Sequence, residues 1–98
     1  MRAVVWSDDA LDDMDSAVRY IANDSYRAAT LVVDRIEATI ELLAEYPTGR
    51  AGRVKGTYEK PVHRTPYIVA YALSDTRVVV LRVIYGSRDW PEGEWPPE

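Results

Sequence analysis

The spacing of apolar residues changes once along the chain. AVVW, from Ala3 to Trp6, is a short apolar run that predicts an opening strand. Ser7 follows in the position of a helix N-cap, where its hydroxyl can accept from a free backbone N–H. Asp8 and Asp9 then fall where carboxylates favour the positive end of a helix dipole. Leu11, Met14, Val18 and Ile21 recur at intervals of three and four, which predicts an amphipathic helix with that stripe inward. Asn23-Asp24-Ser25 interrupts the pattern. A second stripe, Ala29, Val33, Ile36, Ile40 and Leu43, predicts another helix, ended by Pro47 and Gly49. Two helices joined by so short a turn predict an αα-hairpin.

Beyond residue 50 the period becomes two. Tyr67, Val69, Tyr71 and Leu73 alternate with Ile68, Ala70 and Ala72. Val78 to Tyr85 is almost wholly apolar apart from Arg82, the pattern of a central strand. Ser74-Asp75-Thr76 between the two supplies turn chemistry. A less regular strand is expected from about Arg53 to Arg64. Pro61 inside it lacks a ladder N–H and predicts an edge or a bulge. The expectation is an α+β fold, β-α-α-β-β-β, with a helical hairpin packed on one face of a small, mainly antiparallel sheet. One domain spans residues 1–98, and the acidic, proline-rich stretch at about 92–98 reads as a flexible tail.

Composition narrows the class. The 98 residues are 47% apolar and contain no cysteine, so disulfides and thiolate metal sites are excluded and a reducing cytoplasm is the expected setting. The longest apolar run of the second half, Tyr67 to Leu73, is far shorter than the roughly 20 residues of a membrane span. MRAVVWSDD meets acid too early for a signal peptide. The net charge of −4 conceals a division. Residues 1–47 hold ten acids and four bases, residues 48–88 hold two acids and eight bases, and the last ten residues add four acids. An anionic or acidic partner therefore fits the second half, and a basic one the helical half.

Catalytic constellations are weak. His63 is the sole histidine, so no histidine pair can bind a metal, and no cofactor motif appears. The carboxylates at Asp8, Asp9, Asp12, Asp13 and Asp15 already have a role at a helix N-terminus. GRAGRVKG, Gly49 to Gly56, has glycine and positive charge enough to hold a phosphate but lacks the lysine-hydroxyl pair of a P-loop. It reads equally as a basic turn leading into a strand.

Several segments, in order, carry a resemblance: Trp6 with Ala10-Leu11-Asp12, Tyr20-Ile21, Pro47-Thr48-Gly49-Arg50, Gly52-Arg53-Val54-Lys55-Gly56-Thr57, Thr65-Pro66-Tyr67-Ile68-Val69, and Ile84-Tyr85-Gly86-Ser87-Arg88-Asp89-Trp90-Pro91. Together the chain resembles the ParE toxins of the RelE/ParE superfamily of type II toxin–antitoxin systems. The resemblance implies a non-enzymatic inhibitor of DNA gyrase, with no catalytic residues. It also implies a ParD-like antitoxin in a hetero-oligomer, and operator DNA bound only through that antitoxin. The alternatives are a RelE-like ribosome-dependent messenger endoribonuclease, or an inactive relative that only binds its antitoxin. RelE-like nucleases place an arginine directly after the residue matching Tyr67, where this chain has Ile68. The arginine near the end of their last strand is matched by Arg88. Their C-terminal acid–base residue has no clean match, since Glu94 and Trp95 lie near it and Tyr85 substitutes imperfectly. The expected target-binding residues are Arg50, Arg53, Lys55, Arg64, Arg88 and Trp90. The expected antitoxin-binding residues are Tyr20, Leu31, Val32 and Leu42, which lie off the main helical stripes.

Overall fold

A computed structural model describes residues 1–86. Seven elements follow in order: β1 (Ala3–Trp6), α1 (Asp8–Ala22), α2 (Tyr26–Glu45), β2 (Arg50–Ala51), β3 (Tyr58–Pro61), β4 (Tyr67–Leu73) and β5 (Arg77–Tyr85). The strands form one sheet in the order β1-β5-β4-β3-β2. β1 runs parallel to β5, and the other neighbours are antiparallel. Both helices cover one face, as the alternation of period and charge had implied. The expected tail at 92–98, and with it Arg88 and Trp90, lies outside the described residues.

The helices start where hydroxyls can cap them. Ser7 Oγ accepts from Ala10 N–H at 3.0 Å, and Ser25 Oγ accepts from Ala28 N–H at 3.1 Å. Each satisfies one of the amides that a first turn leaves without a partner. Ser7 also joins the sheet: its N–H donates to the Val80 carbonyl at 2.9 Å, and its hydroxyl donates to the Leu81 carbonyl at 2.8 Å.

Ala29, Ile36, Ile40 and Leu43 of the expected α2 stripe are buried, whereas Val33 is only partly buried and its neighbour Val32 packs on the core instead. The α1 stripe is turned by one residue. Ala10 and Ala17 are buried and Met14 and Ile21 pack on the core, while Leu11 is 52% exposed. The reason is proximity: small alanines let α1 approach the sheet closely enough for Asp13 to reach β5, so the larger Leu11 is left outside. Tyr71, Val69, Val78, Val80 and Val62 complete the core from the sheet side.

β5 contains one extra residue. Ala70 faces Arg82 and Tyr71 faces Val80, so Leu81 has no opposite number on β4. This bulge shifts the side-chain phase, and Val80 and Val83, three apart, both join the core. A strict period of two would have placed Arg82 there.

The expected strand over 53–64 is shorter, and a two-residue strand precedes it. Residues 52–57 form a tight loop, with Gly52 N–H on the Thr57 carbonyl at 2.8 Å and Thr57 N–H on the Val54 carbonyl at 3.1 Å. Pro61 ends β3 beside Ile68. Val62 N–H bonds the Tyr67 carbonyl at 2.9 Å, so the ladder's alternation points the Pro61 nitrogen away from β4, to the side where β2 has already ended. Gly49 is tight: its N–H donates to the Tyr71 hydroxyl at 2.9 Å, and a Cβ there would collide with that hydroxyl and the Glu59 carbonyl.

Candidate functional site

Two partly buried ion pairs organise the surfaces around the sheet. Arg82 Nε and Nη2 donate to Asp13 Oδ2 and Oδ1 at 2.8 and 2.9 Å, and Val83 N–H donates to Oδ2 at 2.9 Å. One carboxylate thus holds both fork and backbone, just past the point where β1 ceases to cover β5. An arginine in the middle of an otherwise apolar run, Val78 to Tyr85, is the signal that such a partner exists. Asp13 itself is indistinguishable by pattern from its four acidic neighbours, and only the tertiary packing selects it.

The second pair lies in the basic loop. Arg53 Nε and Nη2 donate to Glu59 Oε2 and Oε1 at 2.9 and 3.2 Å, and Arg53 N–H donates to Oε2 at 2.8 Å. Glu59 is 3% exposed. Burial pushes its carboxyl up, but the hydrogen bonds and charge of Arg53, with Arg50 beyond, outweigh this and hold it below its usual value of 4.5. The guanidinium of Arg53 is therefore committed to its own loop, so a phosphate or an acidic partner meets Arg50 and exposed Lys55 first.

The remaining expected target residues are separated. Arg64 sits at the other end of β3, in the turn to β4, with a φ of 60°. A side chain in this left-handed region costs roughly 1 kcal/mol. Arg35 Nη1 donates to the Arg64 carbonyl at 3.2 Å and steadies the turn. Arg50, Arg53 and Lys55 thus share one edge of the sheet, and Arg64 stands apart from them.

Beside that turn are three tyrosines. Tyr67 and Tyr85 face each other across β4 and β5, edge to face, with ring centroids 5.6 Å apart. Burial raises the Tyr67 hydroxyl above its ordinary value, and Tyr85 and Tyr20 raise it further. Near neutral pH it is a hydrogen-bond donor and cannot serve as a base. Ile68 adjoins this group and leans against Gly86, whose N–H bonds the Pro66 carbonyl at 2.6 Å. A Cβ on Gly86 would come within 2.9 Å of Ile68 Cδ1.

Of the expected antitoxin residues, Leu31 and Leu42 are 47% and 60% exposed and lie about three turns apart on one line of α2. Tyr20 is 74% exposed, whereas Val32 turns inward and packs against the core. Leu42 borders a cavity of about 260 Å³ with Leu43, Tyr46 and Pro61, rimmed by Lys60 and His63.

The model of the "ParE toxin of type II toxin-antitoxin system, parDE" matches residues 4–90. The chain belongs to this toxin family. It is 38% identical over 92 residues to the Y4kP protein of Sinorhizobium fredii (strain NBRC 101917 / NGR234), covering 93% of this chain and 95% of that one. It is 32% identical over 88 residues to Toxin RelE2 of Caulobacter vibrioides, covering 90% and 99%. Among solved structures, a chain of the chromosomal ParDE toxin–antitoxin system of P. aeruginosa superposes with a TM-score of 0.75 over 85% of this chain and 94% of that one. Its identity is 21%, so the likeness concerns the fold. The ParE family and its two-helices-on-a-sheet fold, both expected from the sequence, are thereby established. Among the described residues, no helix is long and apolar enough to cross a membrane.

Proposed function

We propose that this ParE-family toxin acts by gripping DNA gyrase in the cytoplasm, without cutting nucleic acid, and is neutralised by a ParD-like antitoxin. The observation that carries this reading is Ile68. Nuclease-type relatives are expected to place a guanidinium there, and an aliphatic side chain packed on Gly86 can neither bind a phosphate nor stabilise charge on it. The neighbouring Tyr67 hydroxyl is held protonated, which supplies no base. The target surface is built from Arg50, Lys55, Arg64, Arg88 and Trp90, with Arg53 acting as a brace that shapes the loop. Leu31 and Leu42 on α2, with Tyr20 on α1, offer apolar contact to the antitoxin.

The likeness to Toxin RelE2 favours one competitor, messenger cleavage on the ribosome, with Tyr85 or Tyr20 as proton donor. Purified protein decides between them. The gyrase reading expects inhibition of DNA supercoiling that antitoxin relieves and that folded Arg88→Ala and Trp90→Ala variants lose. Messenger fragments mapped at translating ribosomes, with supercoiling untouched, would overturn it.

A further inference from the structure

The sheet ends in two edges of different construction. On one side β2 is two residues long and carries Arg50, and β3 behind it ends in Lys60 and Pro61. Shortness, charge and proline all discourage addition of a further strand. On the other side β1 presents AVVW, without charge or proline.

The backbone of β1 can be accounted for group by group. Ala3 N–H bonds the Thr76 carbonyl at 2.9 Å and Ser7 N–H bonds the Val80 carbonyl at 2.9 Å. Alternation along a parallel ladder therefore turns the N–H and C=O of Val4 and Trp6 away from β5. No described residue bonds any of these four groups. Arg2 has the same outward parity, and its N–H is taken by the Ala44 carbonyl at 3.0 Å. Past Ser7, Asp13 takes Val83 N–H. Among the described residues the edge is closed at both ends by helices and open across Val4 and Trp6, beside the exposed Val5 side chain.

We infer that an extended segment of the antitoxin fills this window as a sixth strand. The inference rests on the antitoxin assigned under the proposed function, and adds a backbone-paired contact to the apolar line of α2. Two outward-facing residues accommodate about five residues of extended chain. Acids lie at both ends of the window: Asp8 and Asp9 begin α1, and Glu45 and Asp75 share a cleft with Arg2 at the other end. Arg2 is itself turned onto the Ser74 carbonyl at 2.7 Å. The segment is thus a short apolar strand flanked by basic residues. A second copy of this chain fits less well, because antiparallel pairing of β1 with itself brings the copy's Asp8 and Asp9 to the cleft holding Glu45 and Asp75.

Amide hydrogen exchange tests this at single residues, on the toxin alone and bound to an antitoxin that neutralises it in cells. In the free protein Val4 and Trp6 amides exchange fast and Val5 and Ser7 slowly. In the complex Val4 and Trp6 slow at least tenfold. If they exchange at the free rate in a neutralised complex, the sixth strand is wrong, although the antitoxin reading survives. If no antitoxin binds, the parent reading fails first. If protection grows with toxin concentration alone, β1 pairs with itself and the inference is overturned. Val4→Pro removes one outward donor without touching the β1–β5 ladder. It should weaken antitoxin binding about tenfold, and unchanged affinity of the folded variant would count against the sixth strand. The exchange measurement needs no variant.

Discussion

The two partly buried ion pairs have the same geometry and opposite reach. Each is a bidentate arginine–carboxylate fork with a backbone N–H added to the same carboxylate. Arg53 and Glu59 are six positions apart and shape one loop. Asp13 and Arg82 are 69 positions apart and fasten α1 to β5. A local fork can break while the core stays folded around it. A long-range fork stands between the two layers, so its loss separates helix from sheet. The comparison teaches that identical chemistry supports different things according to the length of chain it closes.

The largest effect should follow from Asp13→Ala. It strands the Arg82 guanidinium and Val83 N–H together, and urea unfolding should show a loss of about 3–5 kcal/mol. A loss below about 1 kcal/mol would remove the distinction between the pairs. Arg53→Met comes next. It leaves Glu59 buried without its partner, for roughly 2–3 kcal/mol, with exchange quickened in residues 52–57 before the core. Acid tests the local pair by another route. Glu59 is held below 4.5, so it resists protonation when folded and accepts a proton more readily when unfolded. Its contribution is complete above about pH 4.5 and is lost as pH falls through the lowered value. Glu59→Gln should flatten this part of the pH–stability curve, read by thermal melts from pH 5 to 3. The smallest change belongs to an arginine with no acidic partner among the described residues. Arg64→Gly relieves a left-handed backbone and should stabilise by up to about 1 kcal/mol, while supercoiling inhibition falls if Arg64 meets the target.

Much of this fold was legible before any coordinates, because its signals are local. Ser7 caps, Asn23-Asp24-Ser25 turns, and Tyr67 to Leu73 alternates. Each depends on residues within a turn or two. What escaped depends on contacts between distant segments. The α1 stripe was misplaced by one residue because alanine is weakly apolar by pattern yet ideal for close approach. The bulge at Leu81 leaves no mark in composition. Arg53 looked like part of an open basic patch because a buried Glu59 six residues on reads as a surface acid in a polar segment. The basic character of the segment holding Arg50, Arg53 and Lys55 was legible as charge, but the partition between braced Arg53 and exposed Lys55 required the packed loop.

Ser7 carries one more consequence. It terminates β1, opens α1 and bonds the carbonyls of Val80 and Leu81, the latter 74 positions away. During synthesis β1 must therefore wait, without its β5 partner, until a segment 74 positions further along has emerged. A nascent chain of this design cannot close its sheet around β1 before β5 has been made.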